Sequence, residues 1–247
     1  MPKKSTAANK VPFPWSEINK FAPRIFYDLL FPEPVPPQKP GFKHAIPIDL
    51  LKAGTLPVCL IISTIYKSFN NPTMMVYTAL HGIYGLLWIT KSQLFPDKKW
   101  ERRVPWSQFF VVCFGLGMFW LNPLIIAKYD IQCSPIMLGT AISAYALGVF
   151  LHFSADIQKD ITLQYSPGKL ITTKLFALCR HPNYLGEFLI YGSFTALTNS
   201  ILMSVYLVTY ITIYWVPQMW WKEQSMSRYP EWKEYCKNTR KFFPFIY

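Results

Sequence analysis

Residues 135–155 read PIMLGTAISAYALGVFLHFSA, 21 residues without an Asp, Glu, Lys or Arg. A helix needs about 20 predominantly apolar residues to cross a bilayer. Five more apolar segments lie near 46–66, 73–90, 108–127, 184–198 and 200–220. All but 184–198 reach spanning length. Only Asn199 and Ser200 separate that short segment from the next, which predicts a helical hairpin. In lipid, only helices and closed barrels satisfy their own backbone. These runs are too long and too continuous for barrel strands. The sequence therefore predicts an all-α, polytopic helical membrane protein with about six transmembrane helices and a membrane domain over residues 48–247.

Composition agrees. The 247 residues are 51% hydrophobic and only 15% charged. Soluble domains carry about a quarter charged residues, and disordered chains have low hydrophobicity. Both classes are excluded. Lys and Arg number 25 against 13 Asp and Glu, and their placement explains the excess. The tail before residue 46, the loops 91–107 and 156–183 and the stretch from 221 hold nearly all of them, whereas the alternate loops hold only Lys67 and Lys128. This alternation is the positive-inside pattern, and it predicts both termini on the inside face. Basic residues sorted by side of a membrane do not form a nucleic-acid groove, so no nucleic-acid partner is expected. The bilayer itself is the expected partner.

Residues 1–47 form a separate proline-rich segment expected on the inside face. Ten of the 21 prolines fall there. Proline forbids helix interiors, so the segment should be extended, with one short helix around Ser16–Lys20. No apolar h-region follows the basic start, so no signal peptide is expected. Trp15, Phe21, Phe26, Tyr27 and Phe31 suggest that the segment lies on a surface, either its own bundle, lipid or another membrane subunit. The five cysteines have neither CxxC nor zinc spacing and read as small hydrophobes, with no metal site expected. The endoplasmic reticulum and the mitochondrial inner membrane both suit such a chain.

Signatures of soluble enzymes are absent: there is no GxGxxG, GxxxxGK, HExxH or GxSxG. Chemistry concentrates in Leu178-Cys179-Arg180-His181-Pro182-Asn183-Tyr184-Leu185-Gly186-Glu187-Phe188. Pro182 suits the first turn of a helix. A helix N-terminus beside Arg180 and His181 suits an anionic ligand. Glu187 enters the apolar zone, where an ionisable group is a functional candidate by default. Gly186 admits another backbone or a flat ring. Asp156 and Gln158 lie where the preceding span meets the inside face. Glu223, Arg228 and Tyr229 belong to an aromatic-rich tail on that same face.

These residues carry a resemblance. Ala155-Asp156-x-Gln158, Arg180-His181-Pro182-Asn183-Tyr184-x-Gly186-Glu187 and the tail from Glu223 through Arg228-Tyr229-Pro230 to Pro244 together resemble the steroid 5α-reductase-like superfamily. That superfamily includes the sterol C14 reductases and, more distantly, the isoprenylcysteine carboxyl methyltransferases. The resemblance covers about residues 150–247. It implies a C-terminal half that holds NADPH near the inside face, with a sterol, steroid or other enone-bearing lipid as substrate. Residue by residue, it implies that Asn183 meets the nicotinamide or ribose and that Tyr184 and Glu187 line the same pocket. It places Asp156 toward the adenosine and Arg180 and His181 toward the phosphates. Three positions depart from the pattern. His152 stands where an Asn is common, Lys169 to Lys174 lacks a Gly-Gly, and Met219-Trp220-Trp221 replaces a region that holds a histidine. The catalytic acid is not identified; Tyr77, His81 and Tyr84 are candidates by position.

Three functional classes follow. The first is an NADPH-dependent reductase. The second is a reductase-like accessory subunit of a larger membrane complex, without a cofactor. The third is a methyltransferase that uses S-adenosylmethionine; there Lys222 stands where such enzymes often pair a second acid with the position of Glu223.

Overall fold

The computed structural model describes residues 30–244. The helix expected near Ser16–Lys20, and Trp15, Phe21, Phe26 and Tyr27, lie outside the described residues.

The first helix, α1 (Ala45–Ile65), is followed by α2 (Pro72–Leu94). The third apolar segment is helical over Ser107–Lys128, as α3 (Ser107–Gly117), a 3-10 turn (Met118–Trp120) and α4 (Leu121–Lys128). Next come α5 (Pro135–Tyr165), the short α6 (Leu175–Leu178) and α7 (Pro182–Thr198). The last apolar stretch runs through α8 (Ile201–Tyr210), a π-helical turn (Ile211–Trp215) and α9 (Val216–Met226). A short α10 (Trp232–Asn238) follows. Strands β1 (Phe42–Lys43) and β2 (Arg103–Val104) pair antiparallel and hold the segment before α1 on the loop after α2.

Ala45–Ile65, Ser107–Lys128, Pro135–Tyr165 and Ile201–Met226 are long and apolar enough to cross a membrane. Large apolar side chains such as Phe110, Phe114, Ile136 and Ile201 stand exposed on them. An exposed apolar surface of this extent suits lipid rather than water. The molecule is thus an all-α integral membrane protein. All six sequence-derived segments are helical, and four of them lie on the helices long and apolar enough to cross a membrane; α5 continues ten residues past 155 to Tyr165, and α9 six residues past 220 to Met226. His152, Asp156 and Lys159 therefore share one helix.

Local sequence explains the ends and breaks. Asn71 and Ser134 cap α2 and α5, each accepting from a backbone N–H three residues on, with proline next in line. Asn199 closes α7 in the left-handed conformation, at φ 45°, and makes the tight hairpin to α8. Pro123 cannot donate to the Phe119 carbonyl one turn back. The freed oxygen accepts instead from the Tyr77 hydroxyl at 3.2 Å. Pro217 stands just after the π-helical turn, which accommodates the ring by widening the helix.

Glycines set the closest helix contacts. A methyl group on Gly148 would lie 2.7 Å from the Gly186 carbonyl oxygen, and one on Gly186 would lie 2.6 Å from that of Gly148. Backbone thus meets backbone where α5 crosses α7. A methyl group on Gly85 would collide with the Lys52 carbonyl oxygen, so α2 packs equally close to α1. Around these crossings lies an aromatic core that includes Tyr77, Tyr84, Phe119 and Phe194.

Candidate functional site

A cavity of about 920 Å³ opens between the helices. Its wall includes Asp156, Arg180, His181, Asn183, Tyr184 and Glu187, all six sequence-derived candidates. Tyr77, His81 and Tyr84 do not line it. Tyr77 and His81 are 2.6 Å apart in the core, and the His81 ring stacks on Phe194.

The candidates differ in how they are engaged. Asp156 pairs with Lys91 at 2.8 Å and accepts from the Asn183 amide at 3.3 Å. This joins α2, α5 and the first turn of α7. Arg180 donates through Nε to Glu223 and through Nη1 to the Thr239 carbonyl, both at 2.8 Å. Its backbone N–H also donates to the Arg240 carbonyl. Arg180 therefore fastens the C-terminal tail beside the cavity. Lys241 and His181 approach the same Glu223 carboxylate, at 3.4 and 3.5 Å.

His181 is 2% exposed, and its Nε2 lies 3.5 Å from the Glu223 carboxylate. Burial lowers its pKa to about 4, against the opposing pull of Glu223. The ring is neutral at neutral pH. His152 stacks on Trp88 and has its Nδ1 3.2 Å from the Asn183 carbonyl, while its Nε2 is without a hydrogen-bond partner. Glu187 faces the cavity without a salt bridge among the described residues. Lys222 sits 4.4 Å over the Tyr184 ring. Gly186 is filled from behind by α5, so of the two roles expected for it, backbone approach is the one realised.

Charge in the wall is mainly positive. Lys52, Lys99, Lys159, Lys169, Lys222, Arg180 and Arg228 face three carboxylates, Asp97, Asp156 and Glu187. Lys159 holds Asp97 at 2.7 Å, and this pairing keeps the Asp97 carboxyl well below the usual range despite burial. Burial and neighbouring Lys222 lower the Lys99 pKa to about 7. Elsewhere the wall is aromatic and aliphatic, with Phe110, Phe114, Tyr206, Tyr210 and Ile213 from α3, α8 and the π-helical turn. A cavity with a cationic part and an apolar part suits a ligand pair of matching character.

Residues 42–239 match the family described as Protein of unknown function (DUF1295). The chain belongs to that family. The match takes in the N-terminal helices, where the motifs alone gave no likeness. No curated protein matches the chain.

Two parts of this DUF1295 site escaped the sequence reading. Lys52 and Tyr191, 139 positions apart, touch across the cavity wall, and Asp97, Lys99 and Lys159 gather beside it. A lysine inside an apolar run was the available signal for Lys52. For Tyr191 the signal was its helical spacing, since Asn183, Glu187 and Tyr191 recur every four residues.

Proposed function

We propose that the chain is a membrane-embedded, NADPH-dependent reductase of the steroid 5α-reductase-like type, acting on a sterol, steroid or other enone-bearing lipid. The observation that carries this reading is the single cavity that joins all six motif residues to both a lysine-rich and an aromatic wall. The residues fit the cofactor in kind. Lys99, Lys159 and Lys222 supply the positive charge that phosphates require, and the buried Nε2 of His152 lacks a hydrogen-bond partner. The volume sits within the range of about 300–1,000 Å³ typical of ligand pockets. Bound there, the dihydronicotinamide would supply hydride to the β-carbon of an enone. Asn183, held by Asp156, and Glu187 would orient the ring, and the apolar wall would take the lipid. In this arrangement the chain crosses the membrane six times with both termini inside, in either the endoplasmic reticulum or the mitochondrial inner membrane.

Loss of reduced-nicotinamide absorbance on addition of a 4-en-3-one steroid or a Δ14 sterol, with deuterium from labelled NADPH appearing in the product, tests the reading. Neither signal in a folded preparation over both substrate classes overturns it.

Two observations favour a second reading, the accessory subunit. Arg180 is engaged with Glu223 and the tail, and Phe31 of the proline-rich segment packs on Tyr214 and Trp221. Both contacts would suit a scaffold as well as a catalyst. Copurification of a defined membrane complex, lost on deleting residues 1–29 and without NADPH binding, would favour that role.

A further inference from the structure

Lys52 lies in a span, yet it does not reach for water. It is 5% exposed, and Nζ donates to the Tyr191 hydroxyl at 2.6 Å. Nζ also sits 4.0 Å over the Tyr84 ring and 4.8 Å over the Trp88 ring. No carboxylate among the described residues forms a salt bridge with it. Aromatic faces stabilise a cation but do not neutralise it. Holding a buried lysine charged without a counter-charge is costly, which marks Lys52 as a functional candidate.

Both residues line the cavity. Asn183, Glu187 and Tyr191 occupy successive turns of one face of α7, so Tyr191 lies about 12 Å beyond Asn183 along the helix. By accepting from Lys52, the Tyr191 hydroxyl keeps its own proton available to give. An ammonium behind a phenol strengthens the hydrogen bond that the phenol donates and stabilises negative charge on an oxygen bound in front of it.

We propose that the Tyr191 hydroxyl, charged from behind by Lys52, is the proton donor and carbonyl-docking group of this cavity, and hence that the lipid substrate carries its enone oxygen to this point. The inference rests on the reductase reading. As hydride reaches the β-carbon, the alkene pair shifts toward the α-carbon and the carbonyl oxygen takes the Tyr191 proton. Lys52 returns a proton to the phenolate and is itself reprotonated through the cavity that it lines. The enol then moves its proton to the α-carbon. The sum is one enone, one reduced nicotinamide and one proton converted to a saturated ketone and the oxidised nicotinamide. Tyr191 is the catalytic residue; Lys52 is a positioning residue that acts through it.

The test is binding of 2-naphthol, a planar hydroxyl-bearing probe, to the full chain in nanodiscs, beside naphthalene and NADPH. Tyr191→Phe and Lys52→Met should each weaken naphthol binding about tenfold or more. Naphthalene and NADPH binding should stay within about twofold, the scatter expected of variants that keep the fold. If Lys52→Met does not fold, Tyr191→Phe alone decides, since it keeps the ring in place. Equal naphthol binding by wild type and Tyr191→Phe overturns the proposal. If NADPH fails to bind the wild type while naphthol still discriminates the variants, the docking site stands and the nicotinamide reading falls.

Discussion

Lys91 on α2 and Asp156 on α5 form a 2.8 Å ion pair whose side chains are 7% and 11% exposed. The pair fixes the carboxylate that in turn accepts from Asn183. Removing one partner of a buried pair costs about 3–5 kcal/mol, because the other charge is left unpaired. Asp156→Ala should therefore lower the thermal midpoint in detergent strongly. The double variant Lys91→Met/Asp156→Leu should recover most of that loss, because removing both charges leaves none unpaired. A double variant as unstable as the single one would contradict this account.

The crossing of α5 on α7 predicts a steep size dependence at Gly186. Alanine there would put Cβ 2.6 Å from the Gly148 carbonyl oxygen, with backbone rather than a flexible side chain in the way. Overpacking of this kind costs about 1–3 kcal/mol. Gly186→Ala should be destabilised by that amount and Gly192→Ala much less, since nothing lies within 4 Å of a methyl group at Gly192. Thermal midpoints of the two variants settle the comparison.

Acid should destabilise the fold in two stages. His181 and His44 both have pKa values lowered to about 4, chiefly by burial. Their unfolded values are near 6.5, so between pH 6.5 and 4 the unfolded chain binds the extra protons. Stability is full above that window and falls as pH drops through it, by about 3 kcal/mol for His181 at most. Below pH 4, Asp97 adds a further loss, because its folded pKa lies well below the ordinary value. His181→Asn should flatten the first stage by the His181 share, read from unfolding midpoints at successive pH values. An unchanged slope would remove His181 from the account.

Arg180 predicts a local effect distinct from a global one. It ties Cys179–Arg180 to the tail through Glu223 and the Thr239 and Arg240 carbonyls. Arg180→Ala should release the tail and speed tryptic cleavage at Lys237, Arg240 and Lys241 while the helical bundle stays intact. Lys241 remains 3.4 Å from Glu223, which limits the global loss to about 1–3 kcal/mol. Cleavage no faster than in wild type would show that the tail is held by its aromatic contacts instead.

What could be read from the sequence, and what could not, follows from range. Apolar runs, Pro182 at a helix start and the Asn199–Ser200 hairpin are local signals, and each reappears where it was expected. The motif residues also share one cavity, because Asp156 and Asn183 lie on neighbouring helices joined by a short excursion. The extension of α5 to Tyr165 was hidden because its last two turns are polar and resemble a loop. The division of Ser107–Lys128 turns on a proline whose freed carbonyl finds Tyr77, a partner 42 residues from it. The Lys52–Tyr191 contact spans 139 positions and joins α1 to α7. No periodicity reports such a contact.

The central claim is a cofactor site, and cofactor binding is its most direct test. The full chain in mild detergent is titrated with NADPH, with S-adenosylmethionine in parallel, while the thermal midpoint is followed. A ligand at 100 times its dissociation constant stabilises the folded state by about 2.7 kcal/mol. The account predicts a rise with NADPH alone, lost in a Lys99→Ala/Lys222→Ala variant that keeps its fold. A rise with S-adenosylmethionine alone, or with neither ligand in a folded preparation, would contradict it.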